Sequence, residues 1–173
     1  IPADSSTAVV ERIATHWREL GCDSLVALGG GSVIDTAKAV NILVTLGGER
    51  LLDHAGAGCL TRPLKPLAAV PTTAGTGSEV TLVAVIRDEG SGRKVPFTSP
   101  FLLPQLAVLD PRLTRGLPLP ITAATAMDAM THAIEAFIGN AKNPVSDALA
   151  LMAVEKIADA LPRVLLAPED KHL

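Results

Sequence analysis

Aromatic residues are nearly missing from this chain: 2% of 173 residues, with three Phe, one Trp and no Tyr. Ala, Leu and Val must fill the interior instead, a composition that suits helices lying on a parallel sheet. Cysteine is equally scarce. Cys22 and Cys59 lie far apart and match no metal-binding or redox spacing, so they read as reduced, unpaired thiols. Charge of one sign is also lacking: the net charge is −3 and no run of five like charges occurs, which excludes a basic surface for nucleic acid or anionic lipid. Apolar runs such as "SLVALGGG" and "LAAVPTT" break after about five residues, far short of a membrane span. The N-terminal "IPADSST" has neither the basic start nor the apolar stretch of a signal peptide. These absences point to a cytoplasmic location with no nucleic-acid and no membrane partner. What is abundant is apolar mass. At 48% hydrophobic residues, the chain has enough for a sizeable core in one domain of ordinary size, or one and a fraction.

The pattern divides the chain near Leu117. Val10, Ile13, Trp17 and Leu20 recur at helical spacing, with Glu11, Arg12, Arg18 and Glu19 on the other faces, so residues 7–20 are expected to form an amphipathic helix ended by Gly21. "SLVAL" reads as a short strand buried on both faces. "GGGS" and a helical segment "VIDTAKAVNILVTL" follow, and the helix stops at Gly47 and Gly48. Further strands are expected at "PLAAV", "VTLVAVI" and "QLAVLD". Beyond residue 118 the character changes. "PITAATAMDAMTHAIEAFIG" and "PVSDALALMAVEKIADAL" are two helical patterns with no strand between them. The expected fold is an α/β nucleotide-binding segment, Rossmann-like with a parallel sheet, over residues 1–117, followed by the beginning of an all-α domain over residues 118–173.

Three segments carry chemistry. In "ALGGGSVIDTAKA", glycines at the end of a strand let backbone approach a ligand, and the helix starting near Ser32 offers free N–H groups and a positive dipole end. A phosphate suits that geometry, although a plain tight turn has the same glycines; Asp35 and Lys38 within the helix read as solvated residues. The second segment, "PTTAGTGSEVT", supplies neutral hydroxyls from Thr72, Thr73, Thr76 and Ser78, with Gly75 and Gly77 freeing the backbone. It suits a ribose, base or pyrophosphate, or is simply a polar turn. Both loops follow strands, which in an open α/β sheet puts them at the carboxyl edge where ligands bind. The third is "MDAMTHAIEAF". Met127, Met130, Ile134 and Phe137 are expected on one apolar face, while Asp128 and His132 stand one turn apart near Glu135. A carboxylate and an imidazole at that spacing either share a metal ion or form an ordinary surface pair. His16 and His54 read as surface residues.

Taken together, "GGGSVIDTAKA", "PTTAGTGSEVT", "KVPFTSPFLLPQLAVLDPRLTRGLP" and "ITAATAMDAMTHAIEAF" resemble, in order and at suitable distances, the successive signatures of the iron-containing alcohol dehydrogenases. The resemblance implies that Gly30, Gly31 and Ser32, with Asp35 nearby, hold a cofactor pyrophosphate. It implies that Thr72, Thr73 and Thr76 border the dinucleotide, that Val85 is a further cofactor contact, and that Lys94 lies near the nicotinamide ribose. Asp128 and His132 match two ligands of a divalent metal, usually iron and sometimes zinc or manganese. The implied activity is hydride transfer between a small alcohol or aldehyde and NAD or NADP.

Departures from the family pattern shape the remaining expectations. Family members are roughly twice as long, and the acidic position that separates NAD from NADP precedes the matching region. The only histidine beyond His132 is His172, in a tail, "PEDKHL", that matches no family motif. The chain is therefore expected to be a segment of a longer dehydrogenase, to lack a full metal shell, and to self-associate through an uncovered strand edge and apolar helix faces. Two other readings stand beside the dehydrogenase. One is a maleylacetate-reductase-like enzyme, which Asp128 and His132 disfavour; the other is a non-catalytic nucleotide-binding or assembly module.

Overall fold

The computed structural model describes residues 1, 4–56 and 58–167; His172 lies outside them. The chain divides into two compact units, Ile1–Thr72 with Gly77–Asp110, and Thr73–Thr76 with Pro111–Leu173.

The first unit contains helices α1 (Thr7–Glu19) and α2 (Gly31–Leu46) and strands β1 (Leu25–Gly29), β2 (Leu67–Pro71), β3 (Val83–Arg87), β4 (Lys94–Thr98) and β5 (Leu106–Ala107). Strands β1, β2 and β5 form a parallel sheet in that order, with Leu25 level with Leu67 and Gly29 level with Pro71. This is the expected parallel α/β arrangement. Helix α2 is rich in apolar residues and packs inside, with Thr36, Lys38 and Asn41 buried among them. Ile34, Ala39, Val40, Ile42 and Leu43 are fully buried, as are Val10 and Ala14 of α1 and Leu51. Each buried Val, Leu or Ile side chain contributes about 1.5–3 kcal/mol by leaving water.

The sheet departs from expectation in one respect. Ala27, Leu67 and Ala69 are buried together with Ile34, but their neighbours in sequence are not. Val26 is 73% exposed, Leu28 60% and Leu106 55%. Strand β1 is thus buried on one face, not both, because alternate residues of a strand point oppositely and only the α2 side is covered among the described residues. Helix α1 also ends one residue earlier than its spacing predicts, which leaves Leu20 exposed.

Strands β3 and β4 form a separate antiparallel hairpin. Its turn is set by Asp88, whose carboxylate accepts from the Gly90 and Ser91 amides at 3.0 and 3.1 Å, an Asx-type arrangement that orders the chain before Gly92 at φ 70°. Ala84, Ile86 and Phe97 bury the inner face of the hairpin in the same core as α2.

The second unit is a helical hairpin of α3 (Leu119–Ile138) and α4 (Pro144–Leu166). Asn143 caps α4: its Oδ1 accepts from the Val145 and Ser146 amides at 3.0 and 2.9 Å, and Pro144 takes the first helical position, where no amide is needed. The anticipated apolar face of α3 is shifted. Ala133 is the buried position, flanked by half-buried Met130 and Phe137, whereas Met127 and Ile134 are exposed. A helix buries whichever face has a neighbour, and on α3 that face centres on Ala133. No helix among the described residues is long and apolar enough to cross a membrane.

Candidate functional site

The glycine turn lies where two parallel strands end together. Gly29 closes β1, and the Thr72 N–H, just past β2, donates to the Gly29 carbonyl at 3.1 Å. Gly30 takes the N-cap position of α2 in an extended conformation, and no side chain caps that end. The helix start at Gly31 therefore presents main-chain donors and a positive dipole end, with exposed Ser32 beside them. Gly29 is required by space. A Cβ there would lie 2.5 Å from Val33 Cγ2 and 2.7 Å from Val33 Cβ. A turn drawn this tightly against its own helix fits a phosphate held by backbone alone.

Asp35 and Lys38, one turn apart on α2, are not the solvated residues the sequence suggests. Lys38 is 0% exposed. Its Nζ donates to the Thr81 carbonyl at 2.7 Å, the Val83 carbonyl at 2.8 Å and Thr81 Oγ1 at 3.3 Å. Burial pushes its pKa down, opposed by the negative charges of Asp35 and Glu79. Half-buried Asp35 accepts the Val85 N–H on Oδ2 at 2.9 Å. Burial raises its pKa, and the Val85 amide, the Lys38 charge and the Ser78 hydroxyl pull it back in part. Asp35 and Val85, both expected at the cofactor, thus meet each other directly.

Lys94 begins β4, where its ammonium lies 2.7 Å from Asp4 and holds that carboxyl below its ordinary range. The threonine loop is shared between the units. Thr72 belongs to the first, and Thr73 and Thr76 to the second, where Gly75 rests on α3 so closely that a Cβ would stand 2.9 Å from Thr125 Cβ.

In the second unit, His132 Nε2 is 3.8 Å from Asp128 Oδ1, with the side chains 55% and 46% exposed. The pair suits two positions of a divalent ion's shell. Glu135 is exposed, and among the described residues no group of three His, Cys, Asp or Glu gathers that could hold a metal. Two protein ligands do not make a closed site. His16 is exposed beside Glu19 at 3.4 Å; His54, expected at the surface, is half-buried with Nε2 3.0 Å from the Gly47 carbonyl.

Lys38, expected to be solvated, is instead a buried tie between α2 and the edge of β3. It is the only cation in "VIDTAKAVNILVTL", where Asp35, Lys38, Asn41 and Thr45 recur at helical spacing as one polar stripe on a helix otherwise rich in apolar residues.

A strand-ended glycine turn opening an uncapped helix is an arrangement suited to an anion, and the helical segment that follows carries the Asp128–His132 pair. The chain belongs to the iron-containing alcohol dehydrogenase family: residues 1–111 match that family, and residues 122–173 match the family's C-terminal domain. It is 50% identical over 159 residues to 4-hydroxybutyrate dehydrogenase of Cupriavidus necator, covering 90% of this chain and 41% of that protein. It resembles the crystal structure of a 1,3-propanediol oxidoreductase with a TM-score of 0.94 and 38% identity, over 99% of this chain and 44% of that one. It also resembles sulfoacetaldehyde reductase of Bifidobacterium kashiwanohense, solved in complex with NAD+, with a TM-score of 0.90 and 34% identity, over 99% and 46% of the two chains. The chain therefore spans less than half the length of the relatives it matches.

Proposed function

We propose that this chain supplies the dinucleotide-binding turn and part of the metal-binding helix of an oxidoreductase that moves a hydride between a small alcohol or aldehyde and NAD or NADP. The observation that carries the reading is the level ending of parallel β1 and β2 at a glycine turn that opens the uncapped helix α2. In this reading the Gly30–Gly31–Ser32 amides hold the pyrophosphate with Asp35 nearby, and Val85 is a further cofactor contact. Thr72, Thr73 and Thr76 line the dinucleotide with neutral hydroxyls, and Lys94 exchanges its exposed contact with Asp4 for the ribose. When bound, the nicotinamide accepts or returns the hydride and a divalent ion, iron, zinc or manganese, polarises the alcohol oxygen. Asp128 and His132 are this chain's two ligands toward that ion, and they complete no site by themselves. The two-ligand pair favours a second reading for this length of chain alone, nucleotide binding without turnover. A homo-oligomer accords with the exposed apolar sheet face, and a cytoplasmic location with the two free cysteines.

Gly31→Asp tests the reading. The variant places a side chain and a negative charge where phosphate would sit, so it should abolish binding of NAD(H) and NADP(H) while circular dichroism stays close to that of the parent. Titration curves that superimpose on the parent's would dispose of the phosphate assignment.

A further inference from the structure

Strand β3 has two edges that are satisfied in different ways. On one edge Leu82 accepts from the Ser99 amide at 3.0 Å and the ladder with β4 continues from there. Among the described residues the opposite edge meets no strand, only an isolated parallel bridge between Ser6 and Arg87. Along it, alternate residues are tied by other groups: the Thr81 and Val83 carbonyls by Lys38, the Val85 amide by Asp35, and the Arg87 amide by the Ser5 carbonyl at 3.0 Å. Two side chains of α2 thus do for β3 what a neighbouring strand would do. The pairing of Val85 with Pro96 fits this reading, since residues whose main-chain groups point outward need no amide opposite them.

We propose that Lys38 is a positioning residue for dinucleotide binding: its buried ammonium ties the outer edge of β3 to α2 and so fixes Val85 relative to Asp35 and the helix start at Gly31. This inference rests on the dinucleotide reading given above. The physical reason is that a carbonyl facing a helix has no partner unless one is delivered to it. Remove the ammonium, and the Thr81 and Val83 oxygens draw in water or pull the strand away from α2. The Val85 amide then loses its fixed distance from Asp35. Lys38 lies 0% exposed and spends its donors on protein oxygens, so its effect on a ligand runs through the strand it holds.

The test uses Lys38→Met, which keeps the stem and drops the charge, and Lys38→Gln, which keeps an N–H donor for one carbonyl. Amide exchange and NADH and NADPH titrations are run on both. Lys38→Met should speed exchange at residues 83–87 while the interior of α2 and β1 stay protected, and should weaken dinucleotide binding about ten- to hundredfold, the range of a lost charge-assisted bond. Lys38→Gln should fall between parent and Met in both readouts. If Lys38→Met does not fold, the Gln variant carries the test alone. Unchanged exchange at Val85 overturns the proposal, as does faster exchange spread evenly over the first unit, or faster local exchange with an unaltered dissociation constant. Failure of the unaltered chain to bind either dinucleotide overturns the functional reading itself, and is seen before any variant is compared.

Discussion

Gly29→Ala tests whether the turn ahead of α2 is as tight as its geometry indicates. The added methyl would sit 2.5, 2.7 and 3.0 Å from the Cγ2, Cβ and Cγ1 atoms of Val33, where carbon atoms prefer about 3.5–4.0 Å. Val33 cannot swing aside at little cost, because a β-branched side chain in a helix has essentially one χ1 well. The first turn of α2 must move instead, carrying Gly30 and Gly31 with it. Overpacking of this kind costs about 1–3 kcal/mol, and the φ of +158° adds a smaller backbone penalty, for a total of about 2–4 kcal/mol. Urea unfolding followed by circular dichroism should show the midpoint lowered by more than about 1 M, given slopes of about 1–2 kcal/mol/M for a unit of this size. Val33→Ala in the same background removes the two Cγ contacts and leaves the 2.7 Å one, so the double variant should recover part of the loss beyond additivity. A Gly29→Ala chain as stable as its parent, or a penalty that Val33→Ala leaves untouched, would refute the reasoning.

Three further outcomes are expected. Folding raises the Asp35 pKa above 3.8, so its contribution to stability is fully present below that pH and is lost as pH rises through the folded value; Asp35→Asn keeps an acceptor for the Val85 amide and removes the buried charge. Denaturation across pH 3–7 should show the two chains equal at the acid end and the Asn variant gaining as pH rises, burial being the largest cause of the shift; a difference independent of pH would contradict it. Light scattering should find a dimer or larger, and Leu28→Glu should shift it toward monomer, because Val26, Leu28 and Leu106 leave an uncharged apolar face in contact with water; a clean monomer at micromolar concentration counts against this. Elemental analysis should find less than one iron or zinc per chain and alcohol-dependent NADH production should be slow or absent, since Asp128 and His132 complete no shell. One tightly held ion per chain that disappears in His132→Ala would show the pair to be stronger than argued.

The order of helices and strands was legible in the residues because it depends on short-range pattern. Spacing of three and four marks α1 and α3, glycines at 30–31 and 47–48 bracket α2, and an apolar run ahead of each loop marks β1 and β2. The uncapped glycine turn at the carboxyl edge follows from the same local rules, so the turn itself was legible in the residues. What the pattern could not decide is which apolar face has a neighbour. Val26 and Leu28 read like core residues and are exposed, and Met127 and Ile134 yield the buried seam to Ala133, because burial is a property of the facing element and no sequence window contains it. Hydrogen bonding across the sequence was equally hidden. Lys38 stands 43 and 45 residues from the carbonyls it holds, and Asp35 50 residues from the amide it accepts, so their change from apparent surface charges to interior ties came only with the folding of β3 onto α2. A buried charge is tolerable only where such partners converge, and that convergence is a fact of tertiary structure alone.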